Sequence, residues 1–341
     1  MSGRRRTDAP NGHGSATRQR QDAGHPTTVV VAVDIGGTRT KAALVDAALL
    51  EVVRTVVPTP ADVAHDIGAH VSSLVDRLVV EATANGLPVG LVGCGVVVPG
   101  LVDEVTGVGL YSVNLHWRDL PIAELVRVTT GLPTVVGHDV RAGLVAEARL
   151  GAARGARDAL FLPLGTGIAA ALMVDGSVLR AGGWAGELGH VSVVPDGPPC
   201  PCGGRGCLEV IASASAIARA YADRTGERVD ARAVALRVGQ RDPVAQQVWA
   251  GAVDALARGV LATITITGID LVLVGGGLSL SGETLLAPLR RELERLRTFQ
   301  RPPRVVRAAL GDRAGCLGAA CLAWEAVERP TATVDRVEPA G

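Results

Sequence analysis

Apolar and polar positions along this chain switch repeatedly between the period of a strand and that of a helix. Residues 29–33 form a β-branched run (VVVAV) that ends in Asp34 and the turn Gly36-Gly37-Thr38, and 40–44 resumes a strand. The spacing predicts a hairpin closed by glycines. Over 65–83, Ile67, Val71, Leu74, Val75 and Leu78 recur at helical spacing. A buried strand is predicted over 89–98, stopped by Pro99-Gly100, and a short one over 134–136. A helix is predicted over 140–150, starting just after Asp139. Residues 159–164 then run into Gly165-Thr166-Gly167, and 168–174 into Asp175-Gly176, a second hairpin built like the first. Late in the chain come a strand over 270–274, the run Gly275-Gly276-Gly277, and helices over 283–297 and 314–327.

Strands alternating with helices predict α/β architecture. Two glycine-turn hairpins about 130 residues apart suggest a duplicated domain, with one phosphate-binding turn per copy. A length of 341 residues suits two domains.

Composition narrows the function classes. At 48% hydrophobic and 20% charged residues the chain is a globular protein with a sizeable core. Its zero formal net charge gives no global reason for a nucleic-acid or membrane partner. Lys41 is the only lysine, and it falls in a strand-like stretch, so Schiff-base and lysine-nucleophile chemistries are set aside. Residues 1–26 carry Arg4, Arg5, Arg6, Arg18 and Arg20 among polar residues without periodicity, which predicts a disordered tail. No apolar stretch follows the triple arginine, and no run approaches the roughly 18 apolar residues of a membrane span. The expected location is the cytoplasm. Residues after 328 read as a frayed polar end.

The chemistry concentrates in three places. In Asp34-Ile35-Gly36-Gly37-Thr38, glycines let backbone N–H groups approach phosphate oxygens, Thr38 adds a hydroxyl, and Asp34 is placed to hold Mg²⁺. The same pattern also serves as an ordinary hairpin turn, and Gly165-Thr166-Gly167 carries the same ambiguity. The sharpest signal is His190, Cys200, Cys202 and Cys207 in a Gly- and Pro-rich loop. Three thiolates and an imidazole suit a closed, tetrahedral, structural Zn²⁺ site. Cys94, Cys316 and Cys321 sit in apolar stretches and read as packing residues.

From about 29 to 327 the sequence resembles the ROK family of sugar kinases and sugar-responsive repressors. The resemblance is carried by 34–38, by Val98-Pro99-Gly100-Leu101-Val102, by Asn114-Leu115-His116-Trp117 and by 165–167. Its most specific part runs from Ala185-Gly186-Glu187-Leu188-Gly189-His190 through the cysteines to Gly206-Cys207-Leu208-Glu209. The resemblance implies a two-domain actin-like ATPase (ribonuclease H-like) fold with an interdomain cleft. Its domains would be 27–137 with 312–328, and 138–311 with the zinc loop 190–207, flanked by tails 1–26 and 329–341. It implies ATP-dependent phosphorylation of a hexose, glucose first, with Asp139 as general base and ATP over both glycine turns. Asn114, His138, Asp139, Glu187, His190 and Glu209 would contact the sugar, His190 serving the zinc as well. Gly275, Gly276 and Gly277 would pack close to the adenine and ribose.

One position departs from the family pattern. His138 stands where relatives carry asparagine, which leaves N-acetylhexosamines and other hexoses open as substrates. A histidine there is expected to titrate near neutrality. Asp139 could equally be a helix N-cap. A DNA-binding repressor is not expected, since no helix-turn-helix pattern precedes the first strand. A non-catalytic sugar sensor stays open, as does polyphosphate in place of ATP. The resemblance further implies a homodimer or homotetramer.

Overall fold

The computed structural model describes residues 26–329. The tails read at 1–26 and 329–341 lie outside the described residues, save Pro26 and Arg329. The chain begins β1 (Thr27–Ile35), β2 (Arg39–Asp46), β3 (Glu51–Pro58), α1 (Ile67–Ala84) and β4 (Val89–Val98). A small sheet follows, of β5 (Leu101–Asp103), β6 (Val108–Ser112) and β7 (Trp117–Leu120), then α2 (Ile122–Thr130), β8 (Thr134–His138) and α3 (Asp139–Leu150). The next stretch holds β9 (Ala159–Pro163), β10 (Ala171–Val174), β11 (Ser177–Val178), α4 (Leu208–Ala212), α5 (Ala214–Thr225), α6 (Ala231–Gly239) and α7 (Pro243–Thr267). The described chain closes with β12 (Leu271–Gly275), α8 (Glu283–Leu296), β13 (Arg304–Arg307) and α9 (Ala314–Glu328).

The two large sheets have one topology. The first is ordered β3-β2-β1-β4-β8 and the second β11-β10-β9-β12-β13. In each, a glycine-turn hairpin supplies antiparallel strands, and two later strands add in parallel on the far side. The hairpins predicted from the apolar runs are therefore the matching halves of a duplicated sheet. Val29, Val31, Val33 and Ile35 pack on one face of the first sheet, against α1 and α2, while Val30 and Ala32 face α9. That division follows from the two-residue period of a strand, and burial on both faces explains an unbroken apolar run. α1 starts where Asp66 accepts the Ala69 N–H at 3.0 Å, the side-chain cap that frees the first turn from water.

Helices α4 to α7 are not among the elements predicted above. Yet α7 packs against α4, α5, α6 and α8 with Ala245, Val248, Trp249, Ala252, Val253, Leu256 and Val260 buried at helical spacing. It is also long and apolar enough to cross a membrane by composition, contrary to the expectation from the sequence, but Val248, Trp249, Val253, Leu256 and Val260 are core residues here.

Glu147 anchors the segment that leads into α9. Fully buried on α3, it accepts N–H bonds from Ala152 (2.7 Å), Ala309 (3.1 Å) and Leu310 (2.8 Å). These fix the approach to α9, which packs along α3 so closely that a Cβ on Gly318 would strike the Ala142 carbonyl. Glu147→Ala removes the acceptor of three part-buried donors and leaves a cavity in place of a buried side chain, and the loss should reach about 1–3 kcal/mol in urea melts. A loss below about 1 kcal/mol would show that water reaches these groups.

Candidate active site

The first glycine turn is held from behind. The Gly36 N–H donates to the Arg39 carbonyl (3.0 Å), and the Thr59 hydroxyl donates to the Gly36 carbonyl (2.7 Å). Thr40 Oγ1 lies 2.9 Å from that hydroxyl and 3.0 Å from His70 Nε2. Gly37 and Thr38 are exposed, and the nearest atom to a Cβ on Gly37 would be Asn114 Cβ at 3.8 Å. The turn therefore presents its backbone outward, with Asn114 beside it. Asp34 closes β1 within the same group. Burial pushes its carboxyl up to about 6, with the nearby charges of Asp139 and Asp312 acting in the same direction and Lys41 opposing. Lys41 lies opposite Asp34 across the hairpin, its Nζ 3.3 Å from Asp34 Oδ2. Read along the strand alone, this lysine has no evident part in the chemistry. Folding the hairpin about Gly36-Gly37 finds it, because cross-strand partners share a face.

The second carboxylate stands at the start of α3. Asp139 is the first residue of that helix; its cap is His138, whose Nδ1 accepts the Val140 N–H at 3.2 Å. Asp139 Oδ1 accepts the same N–H at 2.7 Å, and its side chain is 30% exposed. His138 is 5% exposed, and burial lowers its pKa from the ordinary value. The shift runs away from the protonated ring, which titration near neutrality would require.

Behind this pair lies an ion cluster that the sequence does not announce. Glu104 Oε1 accepts from Arg141 Nε (2.7 Å) and from the His138 backbone N–H (3.2 Å), while Oε2 takes Arg180. Burial alone would raise the Glu104 carboxyl, but the Arg141 guanidinium holds it below the usual range. Arg141 is itself buried and donates to the carbonyls of Gly183 (3.3 Å) and Ala185 (3.2 Å). It thus pins the first turn of α3 to the segment leading into Glu187. Nothing local marks this contact, since Glu104 and Arg141 lie 37 residues apart.

That segment leads to the cysteine cluster. His190 Nδ1 faces Cys200 Sγ at 3.7 Å, Cys202 and Cys207 sulfurs are 3.7 Å apart, and all four ligand atoms lie within 4.8 Å of one another. A tetrahedral zinc with Zn–S near 2.3 Å would set its sulfurs about 3.8 Å apart, so the residues present fit the ion. A disulfide, at about 2.05 Å, is far from this spacing. The other ring nitrogen, His190 Nε2, lies 4.0 Å from Glu187 Oε2. The structure thus brings His190, Glu187 and the three cysteines together, with one ring nitrogen turned to the sulfurs and the other to the carboxylate. Cys94, Cys316 and Cys321 are buried, as expected of packing residues.

Glu209 follows the last cysteine and joins this loop to the second glycine turn. Its Oε2 accepts the Ile168 N–H at 2.8 Å, and a Cβ on Gly167 would lie 2.5 Å from that oxygen. Gly186 and Gly189 press on the same stretch: a Cβ on either would strike the carbonyl of Ala170 or Ile168. Gly165 faces open space, with its carbonyl accepting the Ala214 N–H at 2.9 Å, while Thr166 is exposed. Of the late glycines, Gly275 is required by the Phe161 ring and Gly276 by the Leu164 backbone, both within the protein; only Gly277 opens outward. A cavity of about 510 Å³ lies beside Thr166 and Glu209, walled by Pro198, Pro199 and Pro201 and by Ser213 and Arg219 at α5.

Comparison with known proteins agrees with this arrangement. Residues 30–326 match the family described as ROK family. A glucokinase of Halalkalibacterium halodurans is 32% identical over 317 residues, covering 86% of this chain and 94% of that protein. An N-acetylmannosamine kinase of Salmonella typhi is 32% identical over 301 residues, covering 86% and 97%. The crystal structure of a ROK family glucokinase from Streptomyces griseus in complex with glucose and AMPPNP superposes with a TM-score of 0.74 at 30% identity, covering 87% of this chain and 99% of that one. With duplicated sheets, paired glycine turns and the loop of His190 and three cysteines all inside the matched span, the chain belongs to the ROK family.

Proposed function

We propose that this protein catalyses ATP-dependent phosphorylation of a hexose hydroxyl, with glucose as the first substrate. The reading is carried by two matching glycine-turn hairpins within a span 32% identical to a glucokinase, with Asp34 beside the first turn and Asp139 at the head of α3. One carboxylate then serves the donor side and the other the acceptor. The lobes would be 27–137 with 312–328, and 138–311, with the sugar in the cleft between them.

A sugar hydroxyl near its ordinary pKa attacks phosphorus poorly, so a base beside it is needed. Asp139 suits that role, because Val140 N–H fixes Oδ1 and Oδ2 has no partner among the described residues. The proton goes to Oδ2 as the hydroxyl oxygen bonds to the γ-phosphorus and the nucleoside diphosphate leaves. Asn114, His138, Glu187, His190 and Glu209 would orient the ring through its remaining hydroxyls. Gly36, Gly37, Thr38, Gly165, Thr166 and Gly167 would hold phosphate oxygens with backbone N–H and hydroxyl groups. Carboxylate oxygens suit a hard cation, so Asp34 would hold Mg²⁺, which neutralises charge on the transferred group. Zinc on His190, Cys200, Cys202 and Cys207 would be structural, fixing the imidazole that faces Glu187.

His138 favours a second reading of the acceptor. A buried imidazole offers a different hydrogen-bond pattern from an amide, and a relative of equal identity is an N-acetylmannosamine kinase. A panel of glucose, mannose, N-acetylglucosamine and N-acetylmannosamine decides between the two by kcat/KM. We place the protein in the cytoplasm as a homodimer or homotetramer, without a nucleic-acid or membrane partner.

Asp139→Asn keeps the shape and the Val140 contact but cannot take the proton. Its kcat should fall about 10²–10⁴-fold while calorimetry finds hexose affinity little changed. Near-normal turnover would remove Asp139 from the mechanism.

Elemental analysis of the purified protein should find one zinc per chain. Cys202→Ser should lower metal content, melting temperature and activity together, because the metal organises the residues around His190. A metal-free protein that is folded and fully active would overturn the zinc assignment.

A further inference from the structure

Lys41 is the only lysine of the chain, and the geometry points to a role for it in the reaction: we propose that Lys41 binds the transferable phosphate of the donor, leaving Asp34 to do so. The inference rests on the reading of Asp34 and the first glycine turn as the phosphate site. Its own support is independent of that reading. Lys41 is a half-buried cation with a side-chain exposure of 23%, facing a carboxylate at 13%. Its Nζ donates to Asp34 Oδ2 (3.3 Å) and to the Asp312 carbonyl (2.9 Å). An ammonium has three donors, and the third has no acceptor among the described residues. The bond to Asp34 is long for a charge-assisted pair, which ordinarily closes to about 2.7–2.9 Å.

The neighbouring charges are otherwise committed. Arg54 pairs with Asp312 and Arg313 with Glu51. The Lys41 ammonium thus faces one carboxylate, Asp34, and one backbone carbonyl, that of Asp312, whose own side chain is paired with Arg54. A polyphosphate chain entering such a place meets repulsion unless a cation turns to it. The Asp312 carbonyl supplies a pivot: Nζ keeps that bond while the flexible stem swings from the carboxylate to a phosphate oxygen. Any cation that accompanies the nucleotide and takes Asp34 strengthens the exchange, since it leaves a half-buried ammonium without its counter-charge. Strand β2 holds the Lys41 backbone in register with Asp34, so only the side chain needs to move.

A single lysine makes the test specific. Reductive methylation with formaldehyde and a borane labels Lys41 and the chain's α-amine only, and peptide mass spectrometry separates the two. AMPPNP should slow labelling of Lys41 at least about tenfold while adenosine does not, as a direct bond to a charged oxygen requires. Lys41→Met should weaken AMPPNP binding about 10–100-fold by calorimetry, leave adenosine and hexose binding unchanged, and lower kcat/KM for ATP to match. Lys41→Arg should recover part of this. A purely structural ion pair would move the melting temperature without separating nucleotide from nucleoside. If calorimetry shows AMPPNP bound while Lys41 labels at an unchanged rate, the lysine has no contact with phosphate and the proposal fails, with the phosphate site intact. If Asp34→Asn and Thr38→Ala also leave AMPPNP affinity unaltered, the phosphate-site reading fails with it.

Discussion

The active site is organised by backbone packed directly on backbone. The stretch from Leu164 to Ala170 has Gly276 against its start, Gly189 against Ile168 and Gly186 against Ala170, each too close to admit a Cβ. Leu164 exchanges bonds with Gly275 (3.0 Å) and Leu278 (3.1 Å), and the Ala170 N–H donates to the Gly186 carbonyl (2.8 Å). Glu209 completes the set by taking the Ile168 N–H. The turn that would receive phosphate and the loop that would receive sugar are thus faces of one rigid layer. Their separation depends little on side-chain rotamers, because three of the contacts seat backbone on backbone and Glu209 adds one short side-chain bond. Phosphoryl transfer depends on positioning more than on covalent help, so a fixed distance between donor and acceptor is a physical advantage.

Charge works on top of this frame. The cleft concentrates carboxylates, Asp34 and Asp139 above all, and holds them with few cations. Burial of Asp34 carries a cost, visible in its rise to about 6, of the kind that active sites retain for function. On the far side of α3, Glu104 and Arg141 do the opposite work. They are a satisfied buried pair that locks the helix carrying Asp139 to the segment carrying Glu187. His138 sits between the two regimes, capping the helix with one nitrogen, its pKa lowered by burial.

How much of this is legible in the sequence depends on range. Glycine turns, the Asp66 cap and the cysteine loop announce themselves within a few residues, because φ, capping and ligand spacing are local matters. The matching hairpins make the duplicated sheets readable, and the family resemblance supplies the role of Asp139. Contacts that join distant segments are silent: Glu147 with Ala309 and Leu310, Glu104 with Arg141, and Glu209 with Ile168. α7 is a different case: its buried residues recur at helical spacing, but Ala250, Gly251, Ala262 and Ile266 on the exposed face blur the contrast in the sequence. The burial of His138 is equally hidden, because burial cannot be seen in a residue type. Gly275 and Gly276 look like ligand contacts in the sequence, whereas Phe161 and Leu164 already require them.

If the metal loop and the sugar-facing residues are one rigid unit, the two ligands must be thermodynamically linked, each slowing the escape of the other. The direct measurement is the rate at which zinc passes from the protein to a chromophoric chelator, followed with and without saturating hexose. The account predicts that hexose slows the transfer several-fold and that Glu187→Gln abolishes the effect without altering the rate in the absence of sugar. Zinc leaving at one rate whether or not the sugar is bound would contradict it.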